Sequence, residues 1–388
     1  MTSAPMASFS HATSGDKRVS EPLVFLCGAR DFHAMDWYRR ALDLMPGHRI
    51  CILTDLIAGE GFKKLVDQRD TVYRLLIIDM FLLRKQSKVG NIWRNIVKLL
   101  VFPIQVILVR RFAARNPGAI FYAHAMYYLF LGMAAGIRFV GRPQGSDILI
   151  KPYRSTLFRY FAVKSMAAAK AVIVDSDKMR DAIRGFSPEV NVHIVRNGID
   201  LDAIGQALER TRVESAGRSS VLSLRGMTPL YRIDEIVRRR NESSRYRDIP
   251  LSFIYPFYEE KFRNALLPLL GSSDSDLGSL DKGRMYALLA GTRLAISIPT
   301  SDSSPRSVYE AVFSGCAVAI THHSYYDVLP HCMQGRIMLV DTGDKDWFDR
   351  AMDFATRITE TPYSPSPQAL STFDQNRTFR EMQALLYG

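Results

Sequence analysis

The sequence is poor in cysteine, has no long apolar run, and over one long stretch contains no acid. Its four cysteines (Cys27, Cys51, Cys316 and Cys332) form no C-x-x-C pair and no Cys/His spacing. That excludes a disulfide scaffold and a zinc module, and all but Cys332 sit in apolar segments, as reduced buried thiols do. His322, His323 and His331 do not make an H-x3-H pair on one helix, because Pro330 stands between them. They read as loop residues, and no metal site is expected. No apolar run reaches the length a bilayer-spanning helix needs, so no transmembrane segment is expected. Residues 1–20 are rich in Ser and Ala without an apolar core, and read as a disordered tail rather than a signal peptide. G-x-G-x-x-G is missing, as are short-period repeats and nucleic-acid-binding motifs.

The missing acid is the more informative gap. Between Asp79 and Asp147 there is no Asp or Glu, against ten Lys and Arg. Residues 1–190 hold 28 Lys and Arg against 15 Asp and Glu, while the remainder holds 23 against 24, so the net charge of +12 lies in the first half. Such asymmetry calls for an anionic partner: phospholipid, a pyrophosphate-linked lipid, or nucleic acid. Residues 84–115 mix Lys and Arg with Ile, Val, Leu, Phe and Trp93, and Pro103 is expected to kink or split a helix there. Basic residues at headgroups with Trp and Leu deeper describe an interfacial helix, so an anionic membrane surface is the expected partner. The segment is aliphatic rather than interleaved with aromatics, which argues against nucleic acid.

What is present is an alternation of short apolar runs and helical segments over 388 residues, enough for two domains with separate cores. Strands are read at 23–27, 49–54, 119–123, 171–174, 192–195, 221–224, 251–255, 294–298, 317–320 and 336–340. Helices are read at 35–44, 125–136, 154–169, 177–184, 280–290, 306–313, 346–358 and 373–386. This pattern predicts two doubly wound α/β domains facing across a ligand cleft. The boundaries fall at 21–200, 201–365 and a final helix at 366–388, with Asn197-Gly198 supplying a turn between the domains.

The chain is organised around residues 294–320. A strand runs into a polar loop, the loop into a helix starting at Arg306, and the helix through Ser314-Gly315 into another strand. The start of that helix, residues 303–307, attracts an anion through its free N–H groups and dipole, and Ser303 and Ser304 can cap it. Asp302 and Glu310 are placed to serve two parts of one ligand.

Asp302-x7-Glu310-Ala311-Val312-Phe313-Ser314-Gly315-Cys316-Ala317-Val318 resembles the donor-site signature of GT-B glycosyltransferases, most closely the retaining family-4-like enzymes. Two departures are Asp for the usual first Glu and Ala317 for the usual Pro. The resemblance implies that Asp302 lies near the donor sugar and that Glu310 holds the ribose hydroxyls. It implies that Arg225, after the strand at 221–224, clamps the donor diphosphate, with Tyr231 or Arg232 falling at the position of a second cation. Ser303, Ser304, Arg306 and Ser307 then belong to the donor site. His124, ending the strand at 119–123, is carried over as a sugar or transition-state contact. Gly28, Arg30 and Asp31 in the first turn, and Gly145 and Asp147, are expected to face the acceptor or shape the cleft. Arg196-Asn197-Gly198-Ile199-Asp200 resembles the segment closing the first domain, and the final helix is expected to cross back onto it.

The implied activity is a metal-independent hexosyltransferase using a UDP- or GDP-sugar, without a cofactor. Its implied acceptor is a polyprenyl-diphosphate-linked saccharide of bacterial surface-polysaccharide assembly. The protein is expected to be cytoplasmic, on the inner face of the cytoplasmic membrane. Two other readings stay open at this point: a GT-B-fold sugar-nucleotide epimerase, and a non-catalytic basic protein binding nucleic acid or membrane.

Overall fold

Short continuous apolar runs suit strands buried on both faces, as in parallel sheets covered by helices on each side. The computed structural model, which describes residues 21–28, 31–54, 71–75, 88–213 and 217–388, contains two such sheets. The first has seven parallel strands in the order β3-β2-β1-β4-β5-β6-β7: β1 Leu23–Leu26, β2 Ile50–Thr54, β3 Val72–Arg74, β4 Ile120–His124, β5 Phe139–Arg142, β6 Ala171–Val174 and β7 Val192–Ile194. The second has six, in the order β10-β9-β8-β11-β12-β13: β8 Ser220–Ser223, β9 Leu251–Ile254, β10 Ser275–Gly278, β11 Thr292–Ser297, β12 Ala317–Ile320 and β13 Ile337–Leu339. Each sheet has an apolar cluster on either face, four cores in all among the described residues. Two facing doubly wound domains are what the alternation predicts. The edge strands β3 and β10 escape sequence reading because they are short and carry polar residues.

The strand order reverses between β1 and β4 in the first sheet and between β8 and β11 in the second. Residues leaving the carboxyl ends of those neighbouring strands diverge and leave a crevice, the usual ligand position in open α/β sheets.

Helix α1 (Phe32–Leu44) follows β1, and α2 (Lys88–Arg115) lies on the other face of the sheet, packed on α3 (Met126–Ala135). Pro103 does not split α2, which runs as one element on both sides of it. The helix expected at 154–169 is interrupted. Lys151–Arg154 is a short turn, and Ser155 accepts from the Phe158 N–H to start α4 (Thr156–Ala167). The final helix is likewise divided. Asp374 ends α5 (Pro367–Phe373) and caps α6 (Gln375–Tyr387) by accepting from the Asn376 N–H.

That division lets the tail serve both halves. Ala369 and Phe373 pack into a core of the second sheet, whereas Phe379, Met382 and Leu386 complete a core of the first. Trp37 stacks on Phe379 with ring centroids 6.1 Å apart. The chain thus crosses between the sheets twice, and the crossings touch. Ile199 N–H donates to Phe373 O at 2.8 Å, and Gln375 N–H donates to Ile199 O at 3.1 Å. A Cβ on Gly198 would lie 2.3 Å from Gln375 Cα, so only glycine fits there.

Phe379 is fully buried. Phe379→Ala is expected to cost about 3 kcal/mol of unfolding free energy, read from urea melts. An unchanged midpoint would mean that α6 does not support the first core.

A candidate active site in the cleft between the sheets

Arg225 leaves β8 and Asp302 leaves β11, adjacent strands at the reversal of the second sheet. Their side chains meet across it, Arg225 Nη2 lying 2.8 Å from Asp302 Oδ2 with both groups largely buried. Arg225 Nη1 also donates to Ser307 Oγ at 3.2 Å, and the guanidinium stacks 4.7 Å from the Tyr231 ring centroid. Ser307 belongs to the first turn of α7 (Arg306–Phe313), whose N-cap is Pro305. Pro305 has no side-chain oxygen to offer, and neither Ser303 nor Ser304 caps the helix, contrary to the sequence expectation. The helix therefore presents a positive dipole end beside a fixed guanidinium.

The spacing from Asp302 puts Glu310 one turn further into α7, where its side chain is 2% exposed. A carboxylate so buried needs partners. Tyr286 OH donates to Oε1 at 3.1 Å, and Lys282 Nζ pairs with the same oxygen. Burial first, and the charge of Glu310 second, push the Tyr286 hydroxyl far above its ordinary pKa, so it stays a donor. Lys282 and Tyr286 sit on helix α8 (Lys282–Gly291), which precedes α7 in the chain and is capped by Asp281 accepting from the Arg284 N–H.

The first sheet answers with a second pair at its own reversal. Asp31, after β1, lies with Oδ2 3.3 Å from Nε2 of His124, which ends β4. Gln144 donates to the same Asp31 oxygen, and the other oxygen caps α1 by accepting from the N–H groups of His33 and Ala34. Burial works against the charged form of Asp31, but the His124 ring beside it prevails and holds its pKa well below the usual carboxylate range. Nearby, Arg142 Nη2 donates to Asn197 Oδ1 at 2.8 Å and Asn197 Nδ2 to Asp175 Oδ2 at 3.1 Å. Burial raises the Asp175 pKa against the pull of Arg142. An ion pair spans the gap: Arg306 Nη1 lies 2.9 Å from Asp36 Oδ2 on α1.

These groups enclose a cleft of about 1010 Å³. Of the residues expected at a site, His124, Arg225, Asp302, Ser303, Ser304, Arg306, Ser307, Glu310 and Gly145 line it together. Asp31 does not line it but pairs with His124, which does. Three others are placed elsewhere. Arg232 takes a left-handed conformation (φ 51°) and turns Nη1 to Thr342 Oγ1 at 3.3 Å. Asp147 is spent on two helix starts, accepting from the N–H groups of Met126 and Gln144, and pairs with Lys151 at 2.6 Å. Gly28 is buried against Tyr128, whose OH would lie 2.9 Å from an added Cβ. Arg30, residues 1–20 and residues 84–87 lie outside the described residues.

Sequence reading missed Lys282, Tyr286, Arg142, Asp175 and Asp36. The helix carrying Lys282 and Tyr286 is legible, but nothing local shows that its first turn faces a carboxylate 28 residues on. Of the histidines at 322, 323 and 331, His323 contacts Pro299 O at 3.2 Å at the start of the Asp302 loop and feels the charge of Asp302, while His331 contacts Gln334. His322 pairs with Asp327, and no metal-binding group is found among the described residues.

The architecture is that of the GT-B class, two parallel α/β halves with a helix crossing back. Residues 47–203 match the model of Glycosyltransferase Family 4. Among solved structures, the chain resembles Anabaena HepE in complex with UDP-glucose, at 16% identity and a TM-score of 0.66, over 94% of this chain and 99% of that one. It also resembles sucrose-phosphate synthase from Thermosynechococcus elongatus (11% identity, TM-score 0.67, 94% and 98% covered) and the trehalose 6-phosphate synthase of Burkholderia multivorans (13%, 0.67, 95% and 98%). No curated protein matches by sequence.

Because the Asp31 pKa is depressed in the folded state, its contribution is full above the unfolded carboxylate value and is lost as pH falls through the folded one. Asp31→Asn keeps a capping oxygen and removes the charge. It is expected to lower stability by on the order of 1 kcal/mol at pH 7, with the gap to the parent shrinking in urea melts taken below about pH 4. A gap that widened in acid would contradict the pairing with His124.

Proposed function

We propose that the protein is a glycosyltransferase that moves a hexose from a nucleoside-diphospho-sugar to a polyprenyl-diphosphate-linked saccharide on the cytoplasmic side of the membrane. The observation that carries the reading is the convergence of Arg225, Asp302 and the uncapped start of α7 on one point of the cleft, with buried Glu310 a turn away.

A diphosphate leaving group develops negative charge as the glycosidic bond breaks. Arg225 and the α7 dipole provide fixed positive charge there, at no cost in reorganisation, so the reading needs no metal. Glu310, anchored through one oxygen by Tyr286 and Lys282, would receive the ribose hydroxyls. Asp302 would face the sugar, and His124 would contact it from the opposite half. In a retaining reaction the bond from the anomeric carbon to the phosphate oxygen breaks while the acceptor oxygen adds on the same face. The departing phosphate oxygen then takes the acceptor proton. A UDP-sugar is favoured as donor because the solved structures of similar fold include complexes with UDP and UDP-glucose. The basic first half suits an anionic, lipid-linked acceptor.

Arg225→Ala is expected to lower kcat by on the order of 10²–10³ with the fold intact, measured as sugar transfer from a UDP-hexose. Glu310→Gln is expected to abolish the thermal stabilisation that UDP gives the parent, which for a ligand at about 100 times Kd amounts to about 2.7 kcal/mol. Full activity in Arg225→Ala, or isomerised sugar nucleotide when donor is incubated without acceptor, would overturn the assignment.

A further inference from the structure

A helix lying on a soluble protein turns its apolar stripe inward and its polar side to water; α2 packs Phe102, Val106, Val109 and Phe112 on the first core but carries a second apolar stripe on its outward side. Its inward face holds Val97, Gln105 and Val109, all buried, while Ile92, Ile96, Leu99, Leu100, Ile104 and Ile107 stand outward at helical spacing. Leu99 and Leu100 are 75% and 71% exposed. A second exposed apolar group lies on α4 and the turn before it: Tyr153 and Leu157, each 67% exposed, with Tyr160 and Phe161. These two regions hold more than half of the large apolar side chains exposed among the described residues.

They belong to one layer. Helix α3 lies between α2 and α4 and packs on both. Its outer rings bridge them, Tyr127 meeting Phe102 at 6.0 Å and Phe130 meeting Phe158 and Phe161 at 5.8 and 6.5 Å. The charge of the layer has one sign. From residue 80 to residue 174 the sequence has fifteen Lys and Arg and a single acid, Asp147, which is buried and paired with Lys151. Arg111, Arg115, Arg154 and Lys164 are exposed around the apolar side chains.

We propose that the α2–α3–α4 layer is a docking surface for an anionic phospholipid bilayer, with α2 and the Tyr153–Phe161 region inserted side by side at headgroup depth. Aliphatic side chains flanked by Tyr, Trp, Lys and Arg are the composition of an interfacial helix, and a cationic rim complements anionic lipid. A second copy of the chain is disfavoured as occupant, since a two-fold contact would bring two like-charged surfaces together. No helix among the described residues is long and apolar enough to cross a membrane, so the attachment lies on the surface. The inference does not depend on the sugar chemistry.

The test is co-sedimentation of the full chain with vesicles of phosphatidylglycerol and phosphatidylcholine in equal parts, against phosphatidylcholine alone. The parent is expected to pellet with the anionic vesicles at low ionic strength and to be released by salt. The pairs Leu99→Asp with Leu100→Asp, and Tyr153→Ser with Leu157→Ser, change exposed residues and should keep the parent's circular dichroism melt. Each pair is expected to weaken vesicle binding by on the order of tenfold or more. The proposal is overturned if the parent stays in the supernatant with anionic vesicles, or if both folded variants bind as the parent does. It is equally overturned if sedimentation equilibrium shows a dimer that the Leu99/Leu100 variant dissociates while vesicles are ignored. Loss of sugar transfer with vesicle binding intact would count against the proposed function and leave the docking surface standing.

Discussion

Two side-chain pairs, Asp31 with His124 and Arg225 with Asp302, occupy corresponding places in the two halves. Each joins the residues that leave the first and fourth strands of its own sheet, where parallel order reverses and the loops part. Everything in the cleft follows from that constraint of topology. A parallel sheet cannot avoid a gap at the reversal, and charged groups placed there are screened from bulk water on the sheet side but open toward the other half. The acidic group of one pair and the cationic group of the other are both held by partners, so the cleft has a fixed electrostatic shape before any ligand enters.

The buried acid on α7 shows why this arrangement is stable. An unpaired carboxylate at that depth would cost several kcal/mol, and Lys282 and Tyr286 remove the deficit by meeting one of its oxygens. The pairing comes from a neighbouring helix of the same half, so the acid's position is independent of how far apart the two sheets stand. Arg306 is different. Its partner Asp36 belongs to the other half, and that pair reports on the distance between them.

The sequence made parts of this legible and hid others for physical reasons. The strands flanking α7 are apolar runs ended by Pro and Gly, and the Asp302–Glu310 spacing survives into the structure because a loop and one helical turn fix it locally. Arg225 is legible through the resemblance, which places a diphosphate-binding Arg just after the strand at 221–224. The capping role expected of Ser303 and Ser304 is not realised because Pro305 takes the N-cap position and has no side-chain oxygen. Asp147 looked like a cleft residue, yet its short side chain reaches two backbone N–H groups first, and local hydrogen bonding prevailed over ligand access. Arg232 was displaced by one left-handed residue, a backbone choice that no side-chain pattern announces. Lys282, Arg142 and Asp175 owe their roles to partners distant in the chain, which periodicity cannot show. The exposed stripe on α2 was visible as composition, but its companion on α4 emerged only from packing around α3.

The contact of the two crossings near Ile199 and Phe373 bears on how the protein is made. Domains emerging from a ribosome usually close in the order of their synthesis. Here the first sheet leaves the ribosome early, but the cluster around Trp37 and Tyr38 lacks Phe379, Met382 and Leu386 until the second sheet has also been translated. The half built first is therefore finished last, and during elongation one of its apolar faces waits uncovered for a helix encoded more than 170 residues downstream of its final strand.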